Sequence, residues 1–428
     1  MKRFIALVLA LSMLLCGCGG DADTETTMQT NPPETTVPMT DGVHGEETED
    51  QNVTLTVWVT AEGIWEDEDA VEAMLEEFNA YYPNILVNVE YNKPEDLGSG
   101  KPDVVLAHAS NLAAWNEEGL LADMTKLWQT RGEDIYAAAK AVSGDEDSRF
   151  MMPMCMVIHC MAINRQYFQN AQALSLFNAA SHTWSAANFL QALKNLYDIG
   201  TEEALTIYCK DTSGDINTRL LVSNLYGGTF VNTVNGSYTA DSANLTRALA
   251  DLAGQKGVVF DDGCTAQQAL DAFLAGDSAM VLNWSSALHL QYGQDENIFF
   301  MNYPATGKTR TYAEVYGLGV LAGEDATRVA ASMTFVAHVS GSDTAARATG
   351  QIPARESAKN VYVGTELEEI MTDLNRLLTY TVAGEVPGQK WDSARGEWAA
   401  MLRSIASGTD VKTAAADCQK KLEALLDQ

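Results

Sequence analysis

The segment Met280-Val-Leu-Asn-Trp-Ser-Ser286 ends an apolar run in an indole flanked by an amide and two hydroxyls. A broad flat ring with one N–H donor, set among small hydrogen-bonding groups, suits the floor of a ligand cleft. It equally suits a packed core with a polar turn behind it. Other patterns that could carry chemistry are weak. The chain contains neither His-Glu-x-x-His nor Gly-x-Ser-x-Gly, the signatures of a zinc peptidase and of a hydrolase nucleophile elbow. Gly307-Lys-Thr-Arg310 lacks the glycine-rich loop that should precede a phosphate-binding lysine. Asp145-Glu-Asp147 lacks calcium-loop spacing. With 58 acidic residues in 428, paired carboxylates are too frequent to signal a glycosidase. The six histidines do not cluster near the cysteines, so no metal or other cofactor is expected, and no catalytic residue.

The chain's first residues read as an address. Lys2 and Arg3 precede an apolar run, Phe4 to Leu15, that is too short to span a bilayer. It ends in Leu-Leu-Cys-Gly-Cys, with the small Gly17 directly before Cys18, as in a bacterial lipoprotein signal. The expectation is cleavage after residue 17, lipidation of Cys18, and a membrane anchor on the extracytoplasmic face. Residues 18–52 are rich in Thr, Glu, Asp and Pro, with few apolar side chains, and read as a disordered tether. The formal charge of −31 becomes −33 once Lys2 and Arg3 leave, which makes a nucleic-acid partner a poor fit. Cys155, Cys160, Cys209, Cys264 and Cys418 would remain. Cys155 and Cys160 read as buried small hydrophobes, with a disulfide as the alternative.

The body, from Val53 onward, is longer than one core usually supports, so two lobes are expected. VTLTVWVT alternates and is β-branched, predicting a strand. Val71, Met74, Leu75 and Phe78 recur at helical spacing, and Pro83-Asn84 closes that helix. ILVNVEY and DVVLA are further strands. The long apolar stretch 150–164 reads as a strand crossing between lobes. Helices are expected over 182–200, with Ser181 or Thr183 near the start, and over 217–228. Another is expected over 243–257, ended by Gly257, and then a helix, a Gly-Asp turn and a strand over 266–284. This is an α/β pattern with no fixed-period repeat.

The order of these segments resembles the extracellular solute-binding proteins of bacterial ABC importers, in the sugar- and oligosaccharide-binding family. The pieces that carry the resemblance include VTLTVWV, KPDVVLAHASNLAAWNEEGLLADMT, MPMCMVIHCMAINRQYF, ALDAFLAGDSAMVLNWS, YGLGV and TGQIPARES. No one piece is specific; their order over about Val53 to Leu426 is. The resemblance implies a two-lobed, type II periplasmic-binding-protein-like fold with an interlobe ligand cleft. Residues 53–152 plus 305–339 would form lobe one, and 153–304 plus 340–428 lobe two. It further implies a non-catalytic receptor for a mono- or oligosaccharide, delivering it to the transmembrane subunits of a permease. A polyamine or another small solute is the alternative, with a surface adhesin or hydrolase behind it.

Under this resemblance, position nominates the ligand contacts. Glu62 and Trp65 follow the first strand, and Ser110 and Asn111 follow DVVLAHA. Asn232 lies beyond Gly-Gly-Thr-Phe, and Glu314 and Tyr316 flank the crossing into YGLGV. Trp391 would cap the cleft from lobe two. Arg355 would hold an anionic group or, alternatively, form an ion pair. Relatives often carry Gly-x-Trp after the asparagine of the 280–285 strand. Here Trp284 stands at the usual glycine and Ser286 at the usual aromatic position, so both are candidates, with core packing the alternative for the indole. His108 reads as a satisfied strand-end histidine rather than a ligand contact.

Overall fold

Ten strands are ordered by the alternation and apolar runs of the sequence: β1 Val53–Val59, β2 Ile85–Glu90, β3 Val104–His108, β4 Met152–Asn164, β5 Glu203–Tyr208, β6 Gly257–Asp261, β7 Met280–Ser285, β8 Ile298–Met301, β9 Ala313–Val320 and β10 Ile352–Pro353. They come from a computed structural model that describes residues 52–91, 97, 102–232, 236–384 and 390–426. The candidate lipid site Cys18, its signal and the tether to residue 51 lie outside the described residues.

The strands join in the order β2-β1-β3-β9-β4-β7-β5-β6, with β8 and β10 also pairing with β4. β1 runs parallel to β2 and β3, and β5 runs parallel to β6 and β7. β9 is antiparallel to both β3 and β4. Twelve of the thirteen residues of β4 are buried, as expected of a strand covered on both faces. From Met152 to Ile158 this strand pairs with β9; from His159 to Asn164 it pairs with β7 and β8.

Two hydrophobic clusters fill a unit spanning Glu46–Gln428. The first gathers β1, β3, β9 and much of β4 under the helices Glu68–Tyr81 and Ala326–Gly341, and also takes in Phe273, Val281, Trp284 and Phe300. Helix Glu68–Tyr81 starts where Asp67 accepts the Ala70 N–H, and buries Val71, Met74 and Phe78 on one face. The second cluster gathers β5 and the end of β4 with the helices Ala186–Asp198, Asp215–Tyr226, Ala243–Gly254, Trp391–Ala406 and Val411–Leu426.

Three expectations are corrected in detail. Residues 345–377, assigned from sequence to the second lobe, bury Ala345, Ile352, Tyr362, Leu374 and Leu377 in the first cluster. The return to the second therefore comes after 377 rather than at 340. Helix Ala186–Asp198 is capped by Ser185, not by Ser181 or Thr183. Helix Ala243–Gly254 ends before Gly257, which opens β6 at φ +86°, a value that costs glycine little. All five cysteines of the described residues are free.

The chain thus passes between the two regions three times: within β4, between β8 and β9, and between Leu377 and Trp391. These passages are laced together. Thr311 N–H donates to Tyr380 O, and Val382 N–H to Thr311 O, each at 2.9 Å. His159 N–H donates to Tyr312 O at 3.0 Å, and the Thr311 hydroxyl donates to His159 O.

Candidate functional site

Because β1 and β3 are parallel, their carboxyl ends emerge on one edge of the sheet. The antiparallel pairing of β3 with β9 sets His108 opposite Tyr316 and brings the beginning of β9 to the same edge. A cavity of about 380 Å³ opens there. Thr60, Ala61 and Glu62 line it from the loop after β1, and His108 from the end of β3. Ser110 and Asn111 contribute from the helix Ala109–Glu117, and Glu314 and Tyr316 from β9. In open α/β sheets this edge is where ligands sit.

His108 caps the helix Ala109–Glu117: its Nδ1 accepts the Ser110 N–H at 3.2 Å and lies 2.7 Å from Ser110 Oγ. With Nδ1 acting as acceptor, a neutral ring carries its proton on Nε2. Glu314 and Tyr316 are two apart on β9 and share a face. The Tyr316 hydroxyl donates to Glu314 Oε2 at 3.3 Å, and its ring meets that of His108 edge-on with centroids 5.2 Å apart. The other carboxylate oxygen, Oε1, lies 3.3 Å from Nε2 of the buried His159. Burial pushes the Glu314 carboxyl upward, but the His159 imidazole, the charge of His108 and the Tyr316 hydroxyl outweigh it and hold the group down to about 2. Glu314 is therefore an ionised acceptor at neutral pH. None of the described lining residues is Lys or Arg.

Five of the residues nominated from sequence meet here: Glu62, Ser110, Asn111, Glu314 and Tyr316. The others lie elsewhere. Trp284 is 1% exposed, and its indole packs edge-on to Phe273 and near Tyr292 and His289. Ser286 is fully buried and its Oγ accepts the Ile158 N–H at 2.9 Å. Trp65, at φ +59°, buries its whole ring in the first cluster. Arg355 donates to Asp343 at 2.8 Å and to Ser357 at 2.8 Å and lies 3.7 Å from Asp134, so its ion-pair alternative is the one formed. Trp391 is half-buried beneath the Arg219 guanidinium and stacked on Tyr238. Asn232 is exposed, its N–H donating to Ser237 O at 2.8 Å.

His159 was missed. The signal available was that it is the one basic side chain in the apolar run of β4. His108, expected as a satisfied strand-end histidine, is one: its Nδ1 is engaged by Ser110 at the edge of the cavity.

A larger concavity, about 710 Å³, lies between residues 175–188 and 305–309. Its polar groups are mostly committed. Trp184 Nε1 donates to Asn302 O, Thr309 Oγ1 to Tyr303 O, and Ser185 Oγ accepts from Asn188 N. The smaller cavity lies at the carboxyl ends of β1 and β3 and gathers two carboxylates, an amide and hydroxyls, and is the better candidate.

No curated protein matches the sequence. Among solved structures, the fold is similar to three that illustrate the range. One is the GacH receptor of Streptomyces glaucescens, described with acarbose: 19% identity, 89% of this chain and 100% of that one, TM-score 0.66. A second is a cyclic α-maltosyl-1,6-maltose binding protein from Arthrobacter globiformis: 16% identity, 87% and 99% coverage, TM-score 0.70. The third is UgpB from Mycobacterium tuberculosis, in complex with glycerophosphocholine: 17% identity, 87% and 98% coverage, TM-score 0.65. These likenesses establish the type II periplasmic-binding-protein fold. The family model of the bacterial extracellular solute-binding proteins matches residues 73–372, most of the chain, and this protein belongs to that family.

Proposed function

We propose that the protein is the lipid-anchored receptor of an ABC importer, capturing a neutral carbohydrate between its lobes and delivering it to the permease. The carrying observation is the composition of the 380 Å³ cavity: two carboxylates, an amide and hydroxyls converge beside the Tyr316–His108 ring pair, with no Lys or Arg among the described lining residues. Sugar hydroxyls donate well to an ionised carboxylate, and apolar C–H faces suit aromatic edges. An anionic solute would meet Glu62 and Glu314 with no Lys or Arg among the described lining residues to offset their charge. Two of the similar structures, described with acarbose and as a cyclic maltosyl-maltose binder, support the carbohydrate reading. On this reading Glu62, Ser110, Asn111, Glu314 and Tyr316 contact the sugar. Closure about the three crossings would complete the site from the other lobe, where Asn232 and Trp391 remain the candidates. Cys18 carries the lipid.

A second reading, a polyamine, is favoured by the same two carboxylates, which would pair with ammonium groups beside an aromatic wall.

The test is a panel of maltodextrins, cello- and xylo-oligosaccharides, spermidine, putrescine and glycerophosphocholine, read by melting temperature and calorimetry. A tightly bound solute raises the melting temperature by mass action. A saturable response to one neutral sugar, lost in Glu314→Ala, supports the receptor reading. A response to spermidine or putrescine alone overturns the carbohydrate. Release of a Cys18→Ala variant from the membrane fraction tests the anchor.

A further inference from the structure

His159 stands where the three crossings meet, and its side chain ends on the candidate site. Its N–H donates to Tyr312 O and its carbonyl accepts the Thr311 hydroxyl; both partners belong to the β8–β9 passage. Thr311 in turn is bound to Tyr380 and Val382 of the third passage. The residue before it, Ile158, donates its N–H to Ser286 Oγ and is the last residue of β4 paired with β9. His159 is the first paired with β7, opposite Ser285. The imidazole is buried, and among the described residues its Nε2 faces Glu314 Oε1 at 3.3 Å.

We infer that His159 is a positioning residue whose contact with Glu314 sets the balance between lobe arrangements and so couples the cavity to the hinge. The physical reason is the placement of the two ends. Glu314 belongs to β9, in the first region, and lines the cavity. The backbone of His159 begins the half of β4 that pairs with β7 and β8 rather than with β9. A rotation of one region against the other about residues 158–159 alters the 3.3 Å separation, and with it the energy of the contact. A solute hydroxyl or ammonium that engages Glu314 changes the same energy from the other side. Linkage then requires that occupancy of the cavity and the lobe equilibrium shift each other. The buried position of the imidazole matters, because a weakly screened contact is sensitive to small displacements.

The test needs no solute. Spin labels on Glu72→Cys and Glu202→Cys, one exposed position in each region, report the interlobe distance distribution in the full protein, in a Cys264→Ala background. His159→Leu and Glu314→Gln should each redistribute the populations by about fivefold, the size of a modest coupling. The double variant should do no more than either single one. His159→Gln, which can present an N–H at the place of Nε2, should restore the unmodified distribution. An unchanged distribution in Glu314→Gln, or additive shifts in the double variant, would overturn the inference. Should His159→Leu fail to fold, Glu314→Gln and His159→Gln still decide it. A role confined to packing would lower the melting temperature of the histidine variants without the Gln rescue of the distribution. Since no sugar is used, failure here leaves the carbohydrate reading standing, and failure of that reading leaves this one.

Discussion

The end of β7 and the edge formed by β1, β3 and β9 are built from similar residue types and come to different ends. At β7, Trp284, Ser285 and Ser286 offer an indole and two hydroxyls. The indole is packed against Phe273 and Tyr292, and the Ser286 hydroxyl is taken by the Ile158 N–H. At the other edge, Ser110, Asn111, Glu314 and Tyr316 stay half-buried or exposed around a cavity. The lesson is that residue chemistry at a strand end is necessary for a site and far from sufficient. What covers that face decides whether a polar group meets solute or structure.

The comparison breaks most sharply at Trp284. Trp284→Ala should lose about 3–5 kcal/mol of stability in urea unfolding, as a large side chain removed from a packed core. Binding per folded molecule should be unchanged. Abolished binding at unaltered stability would instead make the indole a ligand platform and remove the contrast.

The two regions should also separate by pH. His289, buried against Trp284 and Phe300, is held down to about 4 by burial, which disfavours its charged form. Between its ordinary 6.5 and about 4 the unfolded chain binds a proton that the folded one does not, so stability falls as pH drops through that window. The effect is on the order of 3 kcal/mol. His289→Phe should flatten the stability curve there.

Glu314 acts in a lower window. Its folded carboxyl lies at about 2 against an ordinary 4.5, so its contribution is present above 4.5 and lost as pH falls toward 2. Glu314→Gln should make that acid limb shallower and lower the melting temperature at pH 7, where the carboxylate's contribution is fully present. Loss of a charged hydrogen bond should weaken the bound solute by roughly 10- to 100-fold in calorimetry. A flat response in both would move the site away from this edge. The smallest effects belong to Ser110→Ala and Asn111→Ala. Each should cost less than about 1 kcal/mol of stability, as changes at a helix start, with weakening of solute binding by a few-fold. A Ser110→Ala effect as large as that of Glu314→Gln would make the His108–Ser110 pair, rather than the carboxylate, the centre of the site.

The strands and helices were largely legible because their signals are local. Alternation in VTLTVWV, helical spacing of Val71, Met74 and Phe78, and the unbroken apolar run of β4 each follow from a few adjacent residues. Five of the cavity residues were reachable because each follows or begins a strand on one edge. His159 was not, since its role depends on Glu314, 155 positions away along the chain and beside it only after β4 pairs with β9.

By itself, then, the sequence determined an α/β chain with an apolar crossing strand, an acidic surface, and an order of segments that points to one family. Those properties are carried by composition and short-range periodicity. Only the tertiary structure decided that residues 345–377 pack with the first region, that Trp284 faces a covered side of β7, and that His159 meets Glu314 where three crossings are tied. Each depends on which distant segments pair and which face they cover, and neither spacing nor residue type encodes that locally.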